Sequence, residues 1–596
     1  MKKLLYSILA GFSLLVVLSA CEDTLDAPTK SALDESVIFS SPSLAEGAVA
    51  GIIHSFGETN SYRGRFLVYY GVNTDCEVRN SLRDFNTDGA RLVNYNTNVG
   101  NGQMNSANNA WAMFYQGIER ANMAIRGLRT YGDVGNNPQL AQLLGEVLTL
   151  RAVVYSDLMK AWGDVPARFE PVNTETVYLA REDRDIIYMQ LLDDLEEAAE
   201  LVAWPKASSM TQSTERVNKA FVKGLRARIA LSAAGYGLRQ DGTIRRSSHP
   251  ELEPAKMYAI VKKECLDVIN SGTAHLEPSF EGVFKALHSE GFEAGREILW
   301  EIPFSEGRGR VIFDLGIRHT TTDKYTGQNR GGTNGPNPIM FYEYDVEDAR
   351  RDVTCVPYEW TDGVQVPTNN GRWMFGKYRY EWLSRRVTST NDDGLNWLYM
   401  RYSDVLLMAA EAINELDGPT AAAPYLRQVR ERAFPGNSAK VDAFMSAATA
   451  SKEAFFNAIV DERALEFTGE MLRKGDLIRW NKLGSKLAEA KDKLQQLENR
   501  EGKYADLPAS IYFNTLADGE TLEIYGLNFG DTDEEGAALG YSETKTWKIA
   551  SSDETITFWD ALYLRNPDIQ HYWPIWQVFI ESSNNMLTND GFDFPN

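Results

Sequence analysis

Residues 140–166 read LAQLLGEVLTLRAVVYSDLMKAWGDVP, and Leu140, Leu143, Leu144, Val147, Leu150, Val154, Leu158 and Trp162 recur at helical spacing. A stripe of that length buries one face of a long helix. The Gly163-Asp164-Val165-Pro166 that follows ends it, because glycine and proline cannot continue the period. Similar stripes run over roughly 42–57, 107–128, 184–202, 215–234 and 254–270, with Pro138, Pro205 and Gly237 in the gaps. Helical pattern returns over 397–416, 419–433, 451–468 and 471–482. Paired amphipathic helices predict a mainly α, helical-repeat scaffold, although no sequence period of about 34 residues is present. From about residue 281 the texture changes. A β-like run, Glu297-Ile-Leu-Trp-Glu-Ile-Pro303, sits among Gly, Asn, Thr and Pro, and Thr320–Pro338 is almost all turn formers. Past Gly502 the chain is irregular and rich in aromatics. The expected architecture is a helical frame carrying long loops and a small mixed inserted region.

At 596 residues the chain exceeds the ~250–300 at which a single core stops growing. Hydrophobic residues at 43% and charged residues at 24% exclude wholesale disorder. The net charge of −22 repels phosphate backbones, which argues against nucleic acid as a partner. Met1-Lys2-Lys3 followed by an apolar run from Leu4 to Ala20 reads as a secretory signal. Leu18-Ser19-Ala20-Cys21 resembles the bacterial lipobox, in which the Cys21 thiol is lipidated and becomes the mature N-terminus. A polar tether follows. The expected product is a body anchored to a membrane by lipid, outside the cytoplasm and away from NAD- or ATP-dependent chemistry. Cys76, Cys265 and Cys355 remain, an odd number with no Cys-x-x-Cys spacing, and are expected to be buried free thiols.

Four segments converge on one family. They are Leu150–Pro166, Arg401–Asn414, Glu462–Trp480, and the closing Tyr572-Trp573-Pro574-Ile575 with Asn589-Asp590-Gly591-Phe592. Together with the lipobox, this ordered set resembles the SusD/RagB family of nutrient-binding outer-membrane lipoproteins of Bacteroidetes. The resemblance implies about four tetratricopeptide-like helix pairs and no catalysis; no cofactor or metal ligand set is expected from the sequence motifs. It also implies a partner, a SusC-like TonB-dependent transporter over which the lipoprotein sits as a hinged lid. The expected organisation is a signal peptide over 1–20, lipidated Cys and tether over 21–41, an N-terminal helical region over 42–280, the loop-rich insert over 281–397, and a C-terminal region over 398–596. Within the third segment Arg473, Asp476 and Arg479 are three apart on one helical face and are expected to pair, with Glu462, Arg463 and Glu466 extending the network.

Several motifs fail on chemistry. Gly371–Lys377 has phosphate-loop spacing, but Tyr378 stands where a Ser or Thr must hold magnesium. Asp531-Thr-Asp533-Glu-Glu535-Gly536 opens like a calcium loop, but its twelfth position is Ser542. The six histidines show no ligand spacing, and no G-x-S-x-G elbow occurs. Sugars present apolar C–H faces and hydroxyl edges, so glycans call for loop aromatics flanked by polar groups. Two stretches fit. The first runs from Tyr69 to Asn96 and offers Asp75, Arg79, Arg83, Phe85 and Tyr95. The second, in the insert, offers Tyr325, Trp360 and Trp373. Arg79, Arg83, Arg308 and Arg310 would serve anionic groups of a ligand. The leading expectation is an oligosaccharide-capturing lipoprotein. A peptide or other non-sugar nutrient on the same architecture, and a surface-anchored glycoside hydrolase with a carboxylate pair, are the alternatives.

Overall fold

The computed structural model describes residues 34–80, 85–305, 307–368, 372–389, 393–547 and 559–595. Cys21, the signal and tether, and Arg83 lie outside the described residues. The frame is a continuous series of helices. These are α1 (Pro42–His54), α2 (Ala110–Tyr131), α3 (Pro138–Trp162), α4 (Arg184–Leu201), α5 (Lys219–Ala234) and α6 (Pro254–Ser271). Each packs on its predecessor. After the insert the series resumes with α7 (Tyr402–Asp417) docked on α6, followed by α8 (Pro419–Ala433), α9 (Ser438–Ala448) and α10 (Lys452–Phe467). The mainly α frame with a small mixed region is therefore as expected.

Local chemistry sets the helix ends. The Asn137 side chain accepts from the backbone N–H of Gln139 and Leu140, Pro138 occupies the first turn, and Gly163 stops α3 with φ of +71°. Asn109 and Asn218 cap α2 and α5 in the same way, so those helices start three or four residues later than their stripes suggest. The expected helix over 397–416 is shorter. Trp397–Arg401 is a strand, paired antiparallel with Ile298–Ile302, and α7 begins only at Tyr402. Beyond α11 (Arg473–Arg479) lies α12 (Leu483–Asn499), outside the expected set, although Leu483, Leu487, Ala490, Leu494 and Leu497 make a regular buried stripe.

The family-matching segments hold the frame together. Arg184 pairs with Asp164 at 2.6 Å just past α3, and its guanidinium also donates to the Tyr572 hydroxyl. Trp573 donates its backbone N–H to the Ala161 carbonyl, and Trp162 donates its indole N–H to that of Pro574, which closes the C-terminal segment onto α3. Across α5, α7, α10 and α11 runs a buried chain of charge, Arg228–Asp404–Arg463–Asp476–Arg479–Glu411, each link 2.5–2.8 Å. Arg473 departs from the expected trio: it pairs with Asp75 at 2.6 Å. Glu462 and Glu466 also join a different network. There Arg350, Arg401, Arg430, Arg432 and Lys377 meet Asp348, Glu297, Glu462, Glu466 and Glu470, five cations against five carboxylates. This junction is buried and ties the insert to the C-terminal helices. Cys76, Cys265 and Cys355 are buried free thiols, as expected.

Candidate functional site

The two loop stretches singled out from the sequence meet. Strand β1 (Glu77–Arg79) pairs antiparallel with β2 (Asn334–Pro336), placing Glu77 opposite Pro336, Val78 opposite Gly335 and Arg79 opposite Asn334. Side-chain amides reinforce the seam: Asn80 donates to the carbonyls of Gly332 and Trp373, Asn334 to that of Val68, and Asn337 to that of Thr74. Gly335 is required there, because a Cβ would lie 1.9 Å from the Trp373 carbonyl oxygen. Glu77 is buried, accepts from the Thr74 hydroxyl and the Gly469 N–H, and is pushed by burial up to about 7.

Beside this seam four guanidinium groups gather. The guanidinium carbons of Arg310 and Arg330 stand 4.1 and 5.2 Å from the ring centre of partly exposed Phe313. Arg79 lies 5.4 Å over the Tyr69 ring. Arg65 donates to the carbonyls of Gly64 and Gln103, and Arg330 to that of Asn329. Nη1 of Arg79 and Nε of Arg310 and Arg330 are buried without a hydrogen-bond partner among the described residues. Two carboxylates stand among these cations. Asp393 accepts backbone N–H groups from Ile312, Phe313 and Leu395, and burial raises it to about 6. Asp314 lies 3.5 Å from Nε of Arg310, and burial, opposed by Arg310, raises it to about 7.

The expected site residues separate into groups. Arg79 is in the cluster. Phe85 is partly exposed at the edge of the first stretch, its carbonyl accepting from Asn94. Asp75 is held by both Nε and Nη2 of Arg473 and lines a charged cavity of about 250 Å³ with Glu343, Asp461 and Lys486. Tyr325 is partly buried, 5.3 Å from the Trp360 ring. For Tyr95, Trp360 and Trp373 the structure corrects the expectation of a free stacking ring. Tyr95 is 3% exposed and donates its hydroxyl to the Asn73 carbonyl. Trp360, 4% exposed, stacks on His319, and Trp373, 1% exposed, stacks on Phe341 and meets Trp547 edge-on. Their rings are used by protein neighbours. Sequence reasoning missed Phe313, Arg65 and Arg330. The available signal was arginine beside glycine within turn-forming sequence, Gly307-Arg308-Gly309-Arg310 and Asn329-Arg330-Gly331. Of the motifs set aside, Lys377 is held by Glu470 at 2.7 Å, and Asp533 accepts from the backbone of Ala509 and Ser510.

These features define a helical-repeat frame carrying one loop-built, charged face. A sequence model described as the SusD family matches residues 311–592, and a second, described as starch-binding associating with outer membrane, matches 55–231. The chain belongs to the SusD/RagB family. SusD-like protein P25 of Formosa agariphila is 24% identical over 502 residues, 77% of this chain and 87% of that protein. SusD-like protein P2 of the same organism is 25% identical over 501 residues, 80% of this chain and 90% of that one. Among solved structures, a SusD homolog from Bacteroides thetaiotaomicron matches with a TM-score of 0.68 at 19% identity, covering 80% of this chain and 92% of that one. Surface glycan-binding protein A from that organism, in complex with laminarihexaose, matches with a TM-score of 0.59 at 18% identity, covering 92% and 99%. At these identities the structural likeness is one of fold. No helix among the described residues is long and apolar enough to cross a membrane.

Proposed function

We propose that the protein is a lipid-anchored, outer-membrane binding protein that captures oligosaccharide at the β1–β2 face and passes it to a SusC-like TonB-dependent transporter. One observation carries the reading: two loops from opposite halves of the chain are hydrogen-bonded into a single seam, and beside it the partly exposed ring of Phe313 stands among arginine and asparagine side chains. Rings of this kind cover the C–H faces of sugars at ~1 kcal/mol each, and the polar groups bond the hydroxyl edges. Family membership supports the reading, as do the printed descriptions of a matching model and of the laminarihexaose-bound relative. The anchor rests on Cys21 and the transporter on the family resemblance. In this reading residues 42–280 and 398–596 build the frame and 281–397 the loop-rich insert.

A binding role also accords with the carboxylates at the face. Asp314 and Asp393 both have raised pKa values, as a glycoside hydrolase acid would, yet both are buried and Asp393 spends its oxygens on backbone N–H groups. The test is a glycan array probed with soluble protein beginning at residue 22, followed by calorimetry and a reducing-end assay on each hit. Binding without release of reducing ends is the expected outcome. A blank array overturns glycan capture, and turnover lost on mutating a carboxylate pair overturns the binding role. Cys21→Ala should leave the membrane fraction with its fold unchanged, and retention would refute the anchor.

A further inference from the structure

We propose that the ligand taken at this face is negatively charged, a carboxylated or sulfated oligosaccharide rather than a neutral one. The inference rests on the glycan-capture reading above and adds the charge class of the ligand. Its basis is a local surplus of cations. Arg65, Arg79, Arg310 and Arg330 converge around Phe313 and Tyr69, and beside them stands the 4%-exposed Arg63, whose pKa is lowered by burial first and then by repulsion from Arg310 and Arg308. Among the described residues, Arg65, Arg79 and Arg330 have no carboxylate within ion-pair distance, and Arg310 reaches Asp314 only at 3.5 Å.

Fully buried arginines that tie the frame together are closed by charge. Arg151, Arg184, Arg350 and Arg479 each hold a carboxylate at 2.7 Å or less. The arginines at the face that joins the two loops are half-buried and lack a short ion pair, as Arg168 and Arg500 do elsewhere; what distinguishes the face is that four such groups gather in one place, in a chain whose net charge is −22. Guanidinium N–H groups withdrawn from water without partners are costly, and an incoming anion satisfies both their hydrogen bonds and their charge. The planar donor fork of arginine fits carboxylate and sulfate oxygens two at a time. A neutral sugar hydroxyl accepts one such bond and leaves the charge uncompensated. Arg310 and Arg330, 4.1 and 5.2 Å from the Phe313 ring centre, put their charge beside the sugar that this ring would cover.

The experiment is an array carrying neutral, uronate-containing and sulfated oligosaccharides, with calorimetry on the tightest hit at low and high salt and on variants. The expected result is that the hits are anionic and that the tightest weakens severalfold with added salt. Arg310→Gln with Arg330→Gln should then weaken it at least about tenfold, with the melting temperature and circular dichroism preserved. Should that double variant fail to fold, Arg310→Lys with Arg330→Lys keeps the charge, loses the fork, and should bind with an intermediate affinity. Hits confined to neutral glycans, unmoved by the variants, overturn the charge inference and leave glycan capture standing. A blank array removes the reading underneath. Hexaglutamate bound as tightly as the best anionic saccharide overturns the saccharide assignment in favour of an acidic peptide.

Discussion

At the buried junction between insert and C-terminal helices, five cations meet five carboxylates, and every member has an ionic partner within 3.0 Å. At the β1–β2 face, four arginines meet Asp314 and Asp393, and Asp393 is occupied by backbone N–H groups. The residue types are the same, but the first set is closed and the second is left positive. Closed networks hold helices in register, and most of the charged residues in the family-matching segments Arg401–Asn414 and Glu462–Trp480 belong to one of them. An open set needs something from outside. Charge closure, more than residue type, separates frame from face in this molecule.

Glu466 is where the closed region is most vulnerable, since Arg350, Arg401 and Arg432 all donate to it. Glu466→Ala should destabilise by about 5 kcal/mol in a denaturant titration, because buried guanidinium groups lose their counter-charge. A loss under about 1 kcal/mol would mean that the network is not closed as described. Trp373→Ala comes next, at about 3–4 kcal/mol from the stacking and packing lost against Phe341 and Trp547, with ligand affinity unchanged. Weakened binding in a variant that melts normally would return Trp373 to the ligand face.

Lys474 belongs to neither set. It is 2% exposed, lies over the rings of Tyr70 and Tyr95, and is pushed by burial down to about 7. The unfolded chain keeps that proton to about 10.5, so the burial penalty is complete below pH 7 and is relieved as pH rises from 7 towards 10. Lys474→Met should add about 2–3 kcal/mol at pH 7, less than the full linkage because the ring contacts are lost, and should flatten the rise. A slope that survives the substitution would assign it to another group.

The open region should show small stability effects and larger binding effects. Arg310→Gln should change stability by under about 1 kcal/mol while costing about 1.4 kcal/mol of anionic-ligand affinity. The smallest effect concerns pH. Raising it through about 7 charges Asp314 beside Arg310, Arg79 and Arg65, with Asp393 the other carboxylate at hand, so anion affinity should fall about two- to threefold. Asp314→Asn should remove that dependence, and an affinity that rises with pH contradicts the sign.

The frame was legible because α3, α4 and α6 carry their stripes and stop signals locally, within one element. The register of Trp397–Arg401 was not, since its strand character comes from Ile298–Ile302, nearly a hundred residues away. The face was half legible. Composition singled out both loops that meet at β1–β2, and Arg79 and Arg310 are the two arginines it named that the structure gathers beside that seam. Trp373 and Trp360 were misjudged because the partners that cover them, Phe341, Trp547 and His319, come from other loops and leave no local period. Phe313 was passed over because, in the run Val311-Ile312-Phe313, it reads as ordinary core.

The pairing of Glu77–Arg79 with Asn334–Pro336 also governs when the face can exist. Synthesis proceeds from the N-terminus, so β1 emerges long before its partner, and a loop of more than two hundred residues must close before the first hydrogen bond between them forms. During that interval the helices α1 to α6 can stack on one another, while β1 remains an unpaired edge. A fragment ending before residue 334 would therefore hold the early helical series and the residues Arg65 to Arg330 of the face, but not the strand pairing that gathers them, so recognition is acquired later than the frame that supports it.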